Sequence, residues 1–157
     1  MVIKGVTMED FSNYKKPSMF IAFPKCTWKC DKECGMQVCQ NGALAKVPVL
    51  DIEADIIVKK YLDNPITKAV VCGGLEPMDS WSDLLLFIEK FRENSQDDIV
   101  IYTGYHKEEI INRINILKRY DNIVVKFGRY IPNQEKHYDE VLGVELASPN
   151  QRAEVIS

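Results

Sequence analysis

Several features that place a protein in a special class are missing from this sequence of 157 residues. It contains no run of about 18 apolar residues, so we expect no membrane-spanning helix. Basic residues are not in excess: 20 Lys and Arg accompany 23 Asp and Glu, and the net charge of −3 argues against a nucleic-acid partner. The N-terminal residues lack the apolar stretch of a secretory signal peptide, and we therefore expect a cytoplasmic protein.

What the sequence does contain is typical of a globular domain. Hydrophobic residues make up 46% and charged residues 27%, which excludes the disordered and fibrous classes. There is no low-complexity tract and no internal repeat. Because the length is close to that of an average domain, we expect residues 1–157 to form a single domain.

Apolar runs that suit buried strands alternate with segments whose apolar residues recur at helical spacing. The predicted strands are 18–23, 67–72, 98–103 and 122–127, and a further strand is expected at 141–146. The predicted helices are 51–62, with Asp51 as its N-cap, 80–93 and 107–119. This alternation predicts an α/β fold with a mostly parallel sheet. A closed eight-stranded barrel needs about 250 residues, which leaves a partial barrel or an open sheet.

Cysteines and glycines fall at one edge of the predicted sheet. Open α/β sheets bind ligands at the carboxyl ends of their strands. Those ends are followed here by Cys26, by the pair Gly73 and Gly74, by Gly104 and by Gly128. We therefore expect the functional site at this edge, with residues 24–42 as its main segment.

Four of the five cysteines lie close together in the sequence: Cys26, Cys30, Cys34 and Cys39. In a reducing compartment such crowding indicates metal binding or catalysis rather than disulfides. Thiolates suit zinc as well as iron–sulfur clusters, so a zinc-binding docking module is one interpretation. Zinc loops more often have two residues between cysteines than the three and four found here.

A set of short motifs follows in order along the chain. They are Cys26 to Cys30 with three intervening residues, Cys39-Gln-Asn41, Cys72-Gly-Gly-Leu-Glu-Pro77, Ile101-Tyr-Thr-Gly-Tyr105 and Ala147-Ser-Pro-Asn-Gln-Arg152. Together they resemble the motifs of the radical S-adenosylmethionine (radical SAM) superfamily. The resemblance is to the small activating proteins of anaerobic (class III) ribonucleotide reductase in particular.

This resemblance implies a single-domain partial (β/α) barrel with a [4Fe–4S] cluster held by three cysteines and S-adenosylmethionine (SAM) at the fourth iron. It implies an enzyme that reductively cleaves SAM to a 5′-deoxyadenosyl radical and generates a glycyl radical on a partner. The implied partners are a glycyl radical enzyme such as anaerobic ribonucleotide reductase and a reductant such as flavodoxin or ferredoxin. A radical SAM protein of the same size with another substrate is the alternative.

The third cluster ligand departs from the superfamily pattern, in which only two residues separate the second and third cysteines. Both Cys34 and Cys39 are candidates here, and we favour a ligand set of Cys26, Cys30 and Cys39. In the superfamily an apolar residue precedes the third cysteine and packs on the adenine ring. Val38 suits that position, whereas the charged Glu33 before Cys34 does not.

The resemblance also implies which residues bind SAM. They are Val38, Cys39, Gln40, Gly73, Gly74, Glu76 and Thr103. Leu75 interrupts the Gly-Gly-Glu pattern of the superfamily, so Glu76 is expected to be displaced from the usual position.

Three other features complete the expectations. Cys72, at the end of a buried strand, is expected to be an inert core thiol. Arg129 is expected to be a solvated cation. The polar triplet Asn150, Gln151 and Arg152 has no role in a core, and we expect it to close over SAM or to contact the partner.

Overall fold

A sheet of six strands forms the centre of the protein in the computed structural model, which describes residues 1–157. Its strands, in spatial order, are β10 (Arg152–Val155), β7 (Ile123–Phe127), β6 (Asp98–Tyr102), β5 (Ala69–Gly74), β3 (Ser18–Phe23) and β2 (Gly5–Asp10). The four central strands are parallel, and the two edge strands are antiparallel to their neighbours. This mostly parallel sheet, flanked by helices, confirms the predicted α/β class and is compatible with a partial (β/α) barrel.

Helices and two small sheets surround this central sheet. The helices are α1 (Lys29–Cys34), α2 (Gly42–Ala45), α3 (Ala54–Leu62), α4 (Trp81–Arg92) and α5 (Ile111–Leu117), with 3₁₀ turns at Pro77–Ser80 and Lys107–Ile110. The small sheets pair β1 (Val2–Ile3) with β4 (Leu50–Asp51) and β8 (His137–Asp139) with β9 (Val144–Leu146). No helix combines the length and the apolar character needed to cross a bilayer.

The two faces of the central sheet are covered differently. One face carries aliphatic residues such as Ile21, Val70 and Ile101, which pack with the apolar sides of α3, α4 and α5. The opposite face packs under Tyr14 and the β8–β9 hairpin. Near the carboxyl ends of the strands this second face changes character, because Gly73, Tyr102 and Lys126 replace aliphatic residues and line a cavity there.

Several predicted boundaries were wrong for local reasons. The helix predicted from residue 51 begins at Ala54 with Glu53 as its N-cap, because Asp51 instead pairs with Val2 in a two-stranded sheet. Strand β5 continues through both glycines, and the helices predicted at 80–93 and 107–119 each start from a 3₁₀ turn. The predicted strand at 141–146 is limited to Val144–Leu146.

Candidate metal centre

A cavity of about 390 Å³ opens at the carboxyl ends of the parallel strands, where the sequence predicts the site. Most of the predicted site residues line it: Cys26, Cys30, Cys39, Gln40, Gly73, Gly74, Glu76 and Thr103. Val38 and Cys34 do not belong to this lining. The structure therefore brings the favoured three thiols to one cavity and leaves the rival thiol outside it.

Two of these three thiols, Cys26 and Cys39, accept a hydrogen bond from a backbone N–H group. Trp28 N donates to Cys26 Sγ over 3.2 Å, and Asn41 N donates to Cys39 Sγ over 3.4 Å. Such bonds stabilise thiolates and help to set the reduction potential of iron–sulfur clusters. Tyr130, from the segment after β7, lines the same cavity as Cys30.

Burial favours the protonated form of Cys26 and Cys30 while no cation is bound. It raises the pKa of Cys26 to about 11, and the charges of Glu76, Asp79 and Cys39 add to the increase. Burial also raises the pKa of Cys30, although the Tyr130 N–H opposes the increase. Metal binding at this position would therefore displace protons from the thiols.

The thiols of Cys26, Cys30 and Cys39 line one cavity. Nowhere in the chain do three His, Cys, Asp or Glu side chains form a group that could hold a single metal ion. A structural zinc site needs four ligands arranged tetrahedrally around one ion. Three thiols that line one cavity are a soft donor set of the kind that iron–sulfur clusters use.

The segment that carries the cysteines is ordered by polar contacts. Helix α1 has no buried residue, and it is bounded by Trp28 and Gly35, both in the left-handed conformation. Asp31 Oδ1 accepts hydrogen bonds from the backbone N–H groups of Val38 and Cys39, at 2.7 and 2.8 Å. Asn41 Nδ2 donates to the carbonyl oxygen of Gly74 over 2.7 Å and so joins the segment to β5.

The glycine pair brings β5 close to its neighbour. Gly74 has a φ of +83°, and a Cβ there would lie 2.8 Å from Ala22 Cα on β3. Any other residue would meet both a steric clash and a strained backbone. Glycine thus allows the end of β5 and the cysteine segment to meet.

Glu76 faces the cavity in spite of the Leu75 insertion. Its side chain is 6% exposed, and it accepts hydrogen bonds from Gly104 N at 2.8 Å and Met78 N at 3.0 Å. Burial raises the pKa of Glu76 to about 7, and these hydrogen bonds partly oppose the increase. Glu76 lines the cavity with Leu75 before it, because Leu75 N bonds to Phe23 O and Glu76 N to Lys25 O, which fixes the turn.

Lys126 is a cavity residue that the sequence analysis missed. It is 7% exposed and donates from Nζ to the carbonyl oxygen of Gly128 over 2.9 Å. Burial lowers the pKa of Lys126 to about 8, while Glu76 and Cys30 act in the opposite direction. A lysine within the apolar strand Ile123–Phe127 was the signal that could have revealed it.

Arg129 is also buried, which makes the expectation of a solvated cation wrong. Its guanidinium donates from Nη1 and Nη2 to both carboxylate oxygens of Glu109, at 2.9 and 2.7 Å. Its Nε lies 3.0 Å from Glu33 Oε1 on α1, in an ionic contact too bent to count as a hydrogen bond. Arg129 thereby links the cysteine segment to the 3₁₀ turn before α5.

The polar triplet near the C-terminus divides between different environments. Gln151 is 5% exposed, lines the cavity and accepts a hydrogen bond from Ala147 N. Asn150 Nδ2 donates to the carbonyl oxygen of Arg129 over 2.9 Å. Arg152 is exposed and pairs with Glu154, so it takes no part in the cavity.

The fifth cysteine, Cys72, is fully buried, and burial raises its pKa, as expected for an inert core thiol.

The fold and the cavity together define an α/β protein with a thiol-lined cavity at the carboxyl edge of a parallel sheet. Comparison with known families gives a more particular assignment: residues 17–152 match the 4Fe-4S single cluster domain family, and the chain belongs to that family. This membership supports a 4Fe–4S cluster as the cofactor and points to a redox role. No curated protein and no solved structure is significantly similar to the chain.

Proposed function

We propose that the protein is a radical SAM enzyme and that Cys26, Cys30 and Cys39 hold its [4Fe–4S] cluster. The observation that carries the proposal is that these three thiols open into the same cavity as the glycine pair, Glu76 and Lys126. Three cysteines would leave one iron of a [4Fe–4S] cluster without a protein ligand, and the cavity that they line also contains the acidic Glu76 and the basic Lys126. When bound, the reduced cluster supplies one electron that cleaves the sulfonium of SAM to methionine and a 5′-deoxyadenosyl radical.

The residues of the cavity suit the two charged groups of a methionine moiety. Glu76 and the backbone carbonyl groups of Gly73 and Gly74 are acceptors for an ammonium group. Lys126 has donor protons beyond the one it gives to Gly128 O, and its buried charge suits a carboxylate. Burial strengthens both interactions because water does not screen them.

The remainder of the cavity accommodates the rest of the ligand. Thr103 and Gln40 line it, and Gln151 holds its amide group there through the bond from Ala147 N. Val38 does not line the cavity, but it precedes Cys39, which does, and its N–H is fixed by Asp31. We assign to Val38 the apolar contact with adenine, a role that requires its side chain to turn toward the bound ligand.

We further propose that the radical is passed to a glycine of a partner such as anaerobic ribonucleotide reductase, with flavodoxin or ferredoxin as reductant. The motifs from Cys26 to Arg152 that resemble the reductase-activating proteins support this choice. A radical SAM protein with another substrate is the competing proposal, and the two differ in one measurement. A glycyl radical signal in the reductase after incubation with the reduced protein and SAM supports the first proposal. Cleavage of SAM without that signal supports the second.

Anaerobic reconstitution tests the enzyme proposal itself. The purified chain is treated with iron and sulfide, reduced and given SAM. We expect a brown protein that releases 5′-deoxyadenosine and methionine in equal amounts. A colourless protein that retains one zinc ion would contradict the proposal and favour the zinc-binding docking module. A brown protein that leaves SAM intact would restrict the function to electron transfer.

A further inference from the structure

The position of Cys39 needs a physical cause, because eight residues separate it from Cys30. Cys34 is closer in sequence and lies on α1 with Cys30, yet it does not line the cavity. No residue of α1 is buried, so apolar packing does not hold this segment in place. The contacts that could decide which of the two thiols reaches the cavity are therefore polar ones.

Asp31 makes such contacts. It is next to Cys30, and its Oδ1 atom accepts the N–H groups of Val38 and Cys39 at 2.7 and 2.8 Å. Gly35, with a φ of +66°, ends α1 and lets the chain turn back toward Asp31. Bonds from two backbone N–H groups to one ionised carboxylate are stronger than neutral ones and fix the direction of the backbone. The backbone of Cys39 is thus attached directly to the helix that carries Cys30.

We infer that Asp31 is a positioning residue that selects Cys39, rather than Cys34, as the third cluster thiol. The inference rests on the proposed cluster function and concerns how this chain accommodates the long spacer between Cys30 and Cys39. Asp31 closes residues 31–39 into a loop, which holds the backbone of Cys39 against the helix that carries Cys30. Asn41 donates its backbone N–H to Cys39 Sγ, and its side chain is held by the bond to Gly74 O.

The first test uses the apo protein and requires no cluster. Asp31→Ala and Asp31→Asn are compared with the control Asp55→Ala, which removes an exposed carboxylate on α3. Hydrogen exchange of the Val38 and Cys39 amides should accelerate about tenfold or more in Asp31→Ala, less in Asp31→Asn, and not in the control. Unchanged exchange in both Asp31 variants would overturn the inference.

The second test asks which thiol binds the cluster. Iron and sulfide content and the electron paramagnetic resonance (EPR) spectrum of the reduced cluster are measured for Cys34→Ala in the wild-type and the Asp31→Ala backgrounds. We expect Cys34→Ala alone to keep the wild-type cluster. Asp31→Ala should load about tenfold less cluster or give an altered spectrum, and its residual cluster should disappear when Cys34 is also replaced.

The outcomes separate this inference from the proposed function. Asp31→Ala could keep the cluster content and spectrum of the wild type, with no dependence on Cys34. That result would overturn this inference and leave the proposed function in place. If the wild-type chain itself takes up no cluster, the proposed function and the selection of a ligand fail together. Asp31→Asn retains an oxygen acceptor, so cluster content and the EPR spectrum are measured on this variant if Asp31→Ala does not fold. Asparagine should then restore part of the cluster content and a spectrum close to that of the wild type.

Discussion

Cys34 and Cys39 show how the surroundings of a residue, rather than its chemistry, determine its use. Cys39 lines the cavity and accepts the N–H of Asn41, whereas Cys34 lies outside the cavity. We predict that Cys39→Ala abolishes cluster binding and that Cys34→Ala leaves it intact, with iron and sulfide content as the measurement. Each variant serves as the matched control for the other. Loss of the cluster in Cys34→Ala with retention in Cys39→Ala would reverse the assignment.

Glu76 makes the stability of the apo protein depend on pH. Its pKa is raised from 4.5 to about 7 by burial, so the folded state keeps a proton that the unfolded state releases between these values. The contribution of Glu76 to the free energy of unfolding should therefore be highest below pH 4.5. It should then decrease as the pH rises toward 7, by on the order of 3 kcal/mol at most.

Urea denaturation between pH 5 and 7 measures this effect. Glu76→Gln should flatten the pH dependence relative to the wild type, because the group that titrates in this interval has been removed. The exposed Glu108 provides a control, and Glu108→Gln should leave the wild-type slope unchanged. Equal slopes in wild type and Glu76→Gln would show that Glu76 does not carry the raised pKa.

Only part of the site could be predicted at the residue scale. The motifs located Cys26, Cys30, Cys39, Gly73, Gly74 and Glu76, because their spacing along the chain is itself the signal. Asp31 and Lys126 were missed and Arg129 was wrongly expected to be solvated, since the role of each depends on a partner distant in sequence or brought close only by a turn. Hydrophobic periodicity carries no information about such polar contacts.

At the scale of elements, α1 depends on Arg129 for its attachment to the sheet. Arg129 binds Glu109 through two hydrogen bonds and contacts Glu33 on α1, and its paired carboxylate at Glu109 has a pKa lowered to about 2. We predict that Arg129→Met increases hydrogen exchange across α1 about tenfold, which corresponds to about 1.4 kcal/mol. The exposed Arg119 supplies the control variant Arg119→Met, which should leave α1 unchanged. Equal exchange in both variants would show that other contacts hold α1.

Gly128 controls the turn that places Arg129 and Tyr130 beside Cys30. Its φ is +103°, and a Cβ would lie 2.6 Å from Asn150 O. We predict that Gly128→Ala lowers the free energy of unfolding by about 2 kcal/mol or more in urea denaturation. Gly5→Ala is the matched control, because a Cβ at Gly5 meets nothing within 4 Å. A similar small effect in both variants would mean that the turn adapts to the added methyl group.

The central elements were more predictable than the peripheral ones. Strand β3 was located at its observed bounds, and β5, β6 and β7 within two residues, because long apolar runs identify buried strands. The antiparallel edge strands β2 and β10 were missed, since Gly5–Asp10 and Arg152–Val155 are partly exposed and mix polar with apolar residues. The short helix α1 was missed because nothing in it is apolar enough to create a periodic pattern.

At the scale of the whole molecule, the cavity is formed by elements that are far apart in the sequence. The cysteine segment, the ends of β5, β6 and β7 and the segment after β9 all contribute to its wall. A ligand that contacts all of them connects these elements in the folded state only. Binding should therefore stabilise the fold as a whole, by an amount that depends on the ligand concentration relative to its dissociation constant.

We predict that SAM raises the melting temperature of the reconstituted protein under anaerobic conditions. At about one hundred times the dissociation constant, the stabilisation is about 2.7 kcal/mol, which corresponds to a shift of roughly 5 °C or more for a domain of this size. The apo protein is the control and should shift much less, because the cluster iron would provide the strongest contact with SAM. Lys126→Met should reduce the shift of the reconstituted protein if its ammonium group binds the carboxylate of SAM. Equal shifts with and without the cluster, or no shift in either form, would contradict the radical SAM proposal while leaving the iron–sulfur family assignment in place.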